Sequence, residues 1–186
     1  MKPLKIIKNN KSEVRLIGGV HKGRKIFFSE IEGLRPTPNR LRETLFNWLQ
    51  FDIRNANILD LFAGSGALGF EAYSRGAKKV FLVEKNKIAY QNLLENKNNL
   101  KSDNIEVIKE DAFVFLKNNI DNFDIIFCDP PFNKGLIDKL IINFTMLKNV
   151  IVYFELEYKL SALPKNWDIL KQKKVASVFA YLVQID

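Results

Sequence analysis

From Asn57 onward, short apolar runs alternate with stretches of helical spacing. The runs fall near 57–62, 80–84, 105–109, 124–128 and 149–154, and helical patterns fill 66–75, 86–98, 112–118 and 134–146. Brief apolar runs separated by helix-length segments predict β–α units, and so a parallel sheet with helices on both faces. Past residue 154 there is no good helix, only two last strands near 167–172 and 176–184, with Lys171, Lys173 and Lys174 near their turn. The predicted fold is α/β: a doubly wound, mostly parallel sheet of seven strands ending in an antiparallel pair.

The chain before Asn57 has another rhythm. Two short apolar pieces, Val14–Ile17 and Ile26–Phe28, flank Gly18, Gly19 and Gly23. This predicts a hairpin with a basic loop. Arg35-Pro36-Thr37-Pro38 reads as a breaker and a helix start, with Thr37 as the N-cap and Pro38 in the first helical position. Leu41, Leu45, Trp48 and Leu49 then mark one apolar face of a helix running to about Gln50, with Arg40 outside that face and Arg42 turned away from Leu45. No repeat or low-complexity tract is evident. The expected division is a basic extension, residues 1–35, and a sheet domain, residues 36–186, that includes its leading helix.

Charge sharpens this division. The formal net charge is +8, and residues 1–42 carry eleven basic side chains against Glu13, Glu30 and Glu32. The remaining residues carry eighteen of each sign, so the whole excess lies in the first quarter. All seven arginines lie within the first 75 residues. Arginine's planar fork suits phosphate and base edges, so this segregation points to a polyanion. Arg15, His21, Lys22, Arg24, Lys25, Arg35, Arg40 and Arg42 are the candidate contacts. One cysteine, Cys128, rules out an intramolecular disulfide, and one histidine, His21, argues against a histidine-rich metal site, so no metal is expected. No apolar run approaches the ~20 residues of a membrane span. The N-terminus is basic without an apolar stretch, so no signal peptide is expected and the cytoplasm is the expected compartment. A monomer is expected.

The first strand runs into Asp60-Leu61-Phe62-Ala63-Gly64-Ser65-Gly66, and Gly69 follows three residues later. Glycines there allow a tight turn and close approach of a ligand to N–H groups at a helix start. Glu84 ends the second strand, where a carboxylate can accept from both ribose hydroxyls. The third strand delivers Asp111 and Ala112 to the same edge, suited to reading an adenine amine. Gly64-x-Gly66-x-x-Gly69 also fits a dinucleotide turn. Asp60, however, would repel a pyrophosphate and suits a cofactor with positive charge, such as S-adenosylmethionine.

The fourth strand leads into Asp129-Pro130-Pro131-Phe132. Two prolines make a stiff, extended turn whose Pro130 carbonyl is left without a ladder partner. The Asp129 carboxylate, that carbonyl and the flat face of Phe132 are together suited to holding an aromatic amine, with its lone pair aimed at a methyl group. Cys128 reads as a buried strand thiol rather than a nucleophile.

With these motifs in place, the chain resembles the bacterial family of 16S ribosomal RNA guanine-N2 methyltransferases. The matching pieces are Arg15-Leu16-Ile17-Gly18-Gly19, Gly23-Arg24-Lys25, Leu34-Arg35-Pro36-Thr37, Arg40-x-Arg42-Glu43-Thr44-Leu45-Phe46-Asn47-Trp48-Leu49, the Asp60–Gly69 turn, Asp129–Phe132 and Tyr153-x-Glu155-x-Glu157. The resemblance implies a Rossmann-like methyltransferase fold, S-adenosylmethionine with S-adenosylhomocysteine as product, a guanine amine of 16S rRNA, and assembled or partly assembled 30S particles as substrate. It departs in the last hairpin, where family members often have glycine and this chain has Ala176-Ser177. Three other readings remain: a DNA adenine-N6 methyltransferase, a nicotinamide-dependent oxidoreductase, and a catalytically silent RNA-binding assembly protein.

Overall fold

The computed structural model describes residues 6–31, 39–119, 123–131, 135–160 and 163–186, with side chains from Lys11 onward. Arg35 to Pro38, with the N-cap expected at Thr37, and Phe132 lie outside the described residues. The elements run in the order β1 (Ile6–Arg15), β2 (Lys25–Ile31), α1 (Asn39–Trp48), β3 (Asn57–Asp60), α2 (Ala67–Ser74), β4 (Lys79–Val83), α3 (Lys87–Leu100), β5 (Ile105–Ile108), α4 (Ala112–Asn118), β6 (Ile125–Cys128), α5 (Leu136–Phe144), β7 (Val150–Leu156), β8 (Trp167–Val175) and β9 (Val178–Ile185).

Seven strands form one sheet in the order β5-β4-β3-β6-β7-β9-β8. The first five are mutually parallel. β9 runs antiparallel to β7 and to β8. Neighbouring residues of a strand face opposite sides of the sheet, which therefore carries two apolar layers. One contains Ile58, Val80, Phe127, Tyr153 and Leu182 with side chains of α1, α2 and α3. The other contains Leu59, Ile126, Cys128, Phe154 and Tyr181 with side chains of α4 and α5. No helix among the described residues is long and apolar enough to cross a membrane.

The predicted hairpin is present as β1 and β2, paired antiparallel, with β1 reaching back to Ile6. It does not stand apart from the sheet. Val14, Leu16, Ile26 and Phe28 are buried in the same apolar layer as Leu41, Leu45 and Phe127. Asn96 of α3 clasps Phe27 by accepting from its N–H at 3.0 Å and donating to its carbonyl at 2.7 Å.

The last hairpin differs from expectation. Its turn lies at Ala176-Ser177, between the paired Val175 and Val178. Lys171, Lys173 and Lys174 therefore stand within strand β8 rather than near a turn after residue 172. β8 is one of the two outer strands of the sheet and is exposed from Asp168 to Lys174, so it lacks the buried run that marks an inner strand.

Candidate active site

β3 and β6 are neighbours, although α2, β4, α3, β5 and α4 separate them in sequence. In open α/β sheets such a reversal of strand order opens a crevice beyond the carboxyl ends of the strands. Asp60 pairs with Phe127, and Asp129 follows two residues beyond. Sheet topology alone therefore sets the Asp60 and Asp129 carboxylates at one crevice.

Asp60 is 3% exposed, and its Oδ2 accepts the Gly69 N–H at 3.0 Å. Burial pushes its carboxyl up to about 7, against the opposing Gly69 hydrogen bond, with the Asp129 and Glu84 charges adding to the rise. A cation beside Asp60 would restore its charge, so the donor set favours a positively charged ligand over a pyrophosphate. Gly69 is required for this contact. A Cβ there would lie 2.2 Å from Leu82 Cδ2 and 3.2 Å from Asp60 Oδ2.

Glu84 is half-buried one residue past β4. Its Oε2 accepts the Gly64 N–H at 3.0 Å and its Oε1 the Asn86 N–H at 2.6 Å. It thus ties the glycine turn to the end of β4. A carboxylate has about four acceptor sites, so room remains for ribose hydroxyls. Burial raises its carboxyl above the usual range, opposed by the Asn86 and Gly64 hydrogen bonds. Gly64 and Gly66 have positive φ, 52° and 79°. Ser65 is buried, and its Oγ accepts the Ala67 N–H at 3.4 Å. Phe62 is half-buried against the α4–α5 layer.

Asp111 caps α4, with Oδ1 accepting the Phe113 N–H at 3.0 Å and Oδ2 lying 3.6 Å from Lys85 Nζ. Ala112 beside it is buried. Asp129 is half-buried and Pro130 buried at the end of β6. Cys128 is wholly buried, and its thiol is pushed well up by burial and by the Asp129 and Asp60 charges, which keeps it an inert thiol.

Among the expected polyanion contacts, Arg15, Lys22, Arg24, Lys25 and Arg40 are exposed. Glu13 partly neutralises two of them, at 2.7 Å from Lys25 and 3.5 Å from Arg15. His21 is half-buried and stacks on Tyr73 at 5.4 Å. Arg42 is the correction. Its side chain has no exposed surface, and its Nη2 donates to the Arg15 carbonyl at 3.0 Å and to Asn39 Oδ1 at 2.6 Å. The hairpin covers the side of α1 that the helical spacing leaves polar, so Arg42 links the hairpin to α1 instead of facing solvent.

The sequence pattern assigned no role to Glu71. It is fully buried in α2, where Oε2 accepts the Ile17 N–H at 2.7 Å and Oε1 holds Arg75 Nε at 2.7 Å. Ser74 accepts the His21 N–H through Oγ and the Val20 N–H through its carbonyl, and its hydroxyl donates to the Gly18 carbonyl. A lone carboxylate in the apolar run Ala67–Tyr73, four residues before Arg75, is the signal that could have found it. Tyr153 and Glu155, both buried, are joined by the Tyr153 hydroxyl donating to Glu155 Oε1 at 2.9 Å.

A family model described as conserved hypothetical protein 95 matches residues 14–184. The ribosomal RNA small subunit methyltransferase D of Haemophilus influenzae is 44% identical over 185 residues, covering 95% of this chain and 96% of that protein. The chain belongs to this methyltransferase family. The Escherichia coli K12 member of the same name is 42% identical over 175 residues, 91% of this chain and 88% of its own. The solved structure of yhhF from Escherichia coli superposes with a TM-score of 0.85 at 38% identity, covering 94% of this chain and 99% of that one. Family membership thus joins a methyltransferase name to the Rossmann-like sheet described above.

Proposed function

We propose that this chain transfers a methyl group from S-adenosylmethionine to the exocyclic N2 amine of a guanine in the 16S rRNA of the small ribosomal subunit. The observation that carries the reading is the meeting of Asp60, Glu84 and Asp129 at one sheet edge, beside a glycine turn. When bound, S-adenosylmethionine supplies an electrophilic methyl on a positively charged sulfur. Asp60 balances the cationic end, Glu84 takes the ribose hydroxyls, and Asp111 with Ala112 lies where an adenine edge is read.

Asp129 and the Pro130 carbonyl accept the two hydrogens of the guanine amine. That draws the nitrogen toward a pyramidal shape and aims its lone pair at the methyl. Methyl transfer to that nitrogen would leave a neutral thioether sulfur, on S-adenosylhomocysteine. The positive charge growing on nitrogen is stabilised by the Asp129 carboxylate, and the proton leaves afterwards, so a strong base is unnecessary. Phe132 supplies the stacking face for the base. We assign the protein to the cytoplasm as a monomer, acting on assembled or partly assembled 30S particles.

The test is methyl transfer from labelled S-adenosylmethionine to purified 30S particles, free 16S rRNA and DNA, followed by nucleoside analysis. N2-methylguanosine from the particles is the expected product. N6-methyladenine in DNA would establish the rival reading instead, and no transfer to any of the three would leave a silent binding protein.

A further inference from the structure

The basic loop between β1 and β2 is docked at the far end of α2, on Glu71 and Ser74. Because α2 returns from the end of β3 to the start of β4, that end lies toward the sheet edge opposite the crevice. A nucleic acid held there alone would be gripped one helix length from the reacting groups. A basic surface nearer the crevice exists on β8.

The strand register fixes its position. Cys128 pairs with Phe154, and the next residues along β6 and β7 are Asp129 and Glu155. Glu155 pairs with Ala180, and Ala180 with Lys173. Leu156 pairs with Phe179, and Phe179 with Lys174. β8 runs parallel to β7, because both are antiparallel to β9. Lys173 and Lys174 thus stand level with the Asp129-Pro130 turn at the same sheet edge, three strand spacings away, or about 14 Å. A short stretch of single strand covers that distance.

All three β8 lysines are exposed. Lys173 is oriented by α1, donating to Thr44 Oγ1 at 3.2 Å, and an ammonium with three donors keeps others for a phosphate. Lys174 lies over the Phe179 ring at 4.8 Å. Lysines on an outer strand also guard against edge-to-edge pairing. That role calls for charge anywhere along the edge and does not explain why it collects at the end level with the crevice.

We infer that Lys171 and Lys173, on the α1 face of β8, and Lys174, on the opposite face, flank the open edge of this outer strand as a phosphate-binding strip that holds the RNA backbone beside the target nucleotide; this rests on the RNA reading proposed above. The strip grips the substrate at the level of the reacting amine, whereas the hairpin loop grips it farther away.

The test compares the full-length protein with a Lys171→Gln/Lys173→Gln/Lys174→Gln variant. A second variant, Lys101→Gln/Lys117→Gln/Lys148→Gln, removes the same charge from exposed positions at the opposite sheet edge. RNA affinity for 30S particles and for 16S rRNA fragments is titrated against salt, with S-adenosylhomocysteine calorimetry as the folding control. The β8 variant is expected to bind the cofactor product normally, to bind RNA more weakly, and to show a salt slope reduced by roughly 0.7 for each lost single-strand contact. The opposite-edge variant is expected to match the wild type. Equal losses in the two variants, or none in the β8 variant, would overturn the strip while the wild type still yields N2-methylguanosine. A wild type that neither binds nor methylates RNA would overturn the functional reading itself.

Discussion

Glu71 Oε2 accepts the Ile17 N–H at 2.7 Å, joining residues 54 positions apart. The same carboxylate holds Arg75, and its charge also supports the buried guanidinium of Arg42. Removing it leaves the part-buried Ile17 N–H without this acceptor and two arginines short of an anion. Glu71→Ala is expected to cost about 3–5 kcal/mol, the scale for breaking a buried pair from one side. Glu71→Gln, which keeps an acceptor for Ile17, should cost less. Urea unfolding measures both, and equal stability of Glu71→Ala and wild type would show that the clasp contributes nothing.

If Asp60 holds the cationic end of the cofactor as proposed, cofactor binding is expected to depend on pH. Its carboxyl is pushed up to about 7, so near pH 6 the site is mostly protonated and near pH 8 mostly charged. A cationic ligand binds the charged form, so affinity for S-adenosylhomocysteine, which keeps its ammonium, should rise from pH 6 to 8 with proton release. In the unliganded protein the sign is opposite. The folded state keeps a proton that the unfolded state gives up near pH 4, so the Asp60 contribution to stability falls as pH rises from 4 through 7. Asp60→Asn should flatten the affinity profile. Calorimetry in buffers of different ionisation enthalpy reads the proton directly, and an unchanged profile in the variant would place the titrating group elsewhere.

Asp129 and Cys128 are adjacent in sequence and should behave oppositely. Asp129→Ala is expected to lower turnover by at least ~10²-fold while cofactor binding is largely kept. Cys128→Ala should retain turnover wherever the protein remains folded, since the buried thiol takes no part. Single-turnover methyl transfer distinguishes them, and inactivity of a folded Cys128→Ala protein would restore the cysteine as a reactant.

The hairpin loop is best tested by charge rather than by truncation. Deleting residues 1–30 would strip Val14, Leu16, Ile26 and Phe28 from the core, so loss of binding would report unfolding. Lys22→Gln with Arg24→Gln leaves those contacts intact. The expected outcome is a flatter dependence of RNA affinity on salt with unchanged cofactor affinity, read by salt titration.

Ala176 holds a left-handed conformation, φ 52°, in the two-residue turn between β8 and β9. A Cβ there is unfavourable by about 1–2 kcal/mol. Ala176→Gly regains part of this but loosens the unfolded chain, so a net gain of about 0.5–1 kcal/mol is expected in urea unfolding. A loss on substitution would show that the alanine methyl makes contacts worth more than its strain.

The inner strands were legible because a parallel sheet covered on both faces demands nearly continuous apolar runs. Asp60, the glycine turn, Glu84 and Asp129 were legible for a related reason: each stands at the end of such a run. Strand β8 was less clear, since an exposed outer strand carries no apolar alternation, and its lysines read as turn residues. α1 was half legible. Leu41, Leu45 and Leu49 are buried as spaced, but Phe46 is also buried, edge-on to Phe127 at 5.9 Å, and Trp48 only partly. Arg42 and Glu71 were missed for the same physical cause: their partners are the carbonyl of Arg15 and the N–H of Ile17, which helical spacing does not register.

Helix α2 is capped by Gly66, inside the glycine turn, and runs from Ala67 to Ser74, which carries the basic loop. Eight helical residues make a rod about 12 Å long. All of them except Tyr73 are buried, so its length is fixed by packing on every side. For a substrate that touches the loop at one end and reacts beyond the other, α2 is a caliper. On the function proposed above, it would admit a target nucleotide by its distance from an anchored phosphate, a criterion of shape that a short linear sequence around the base does not satisfy.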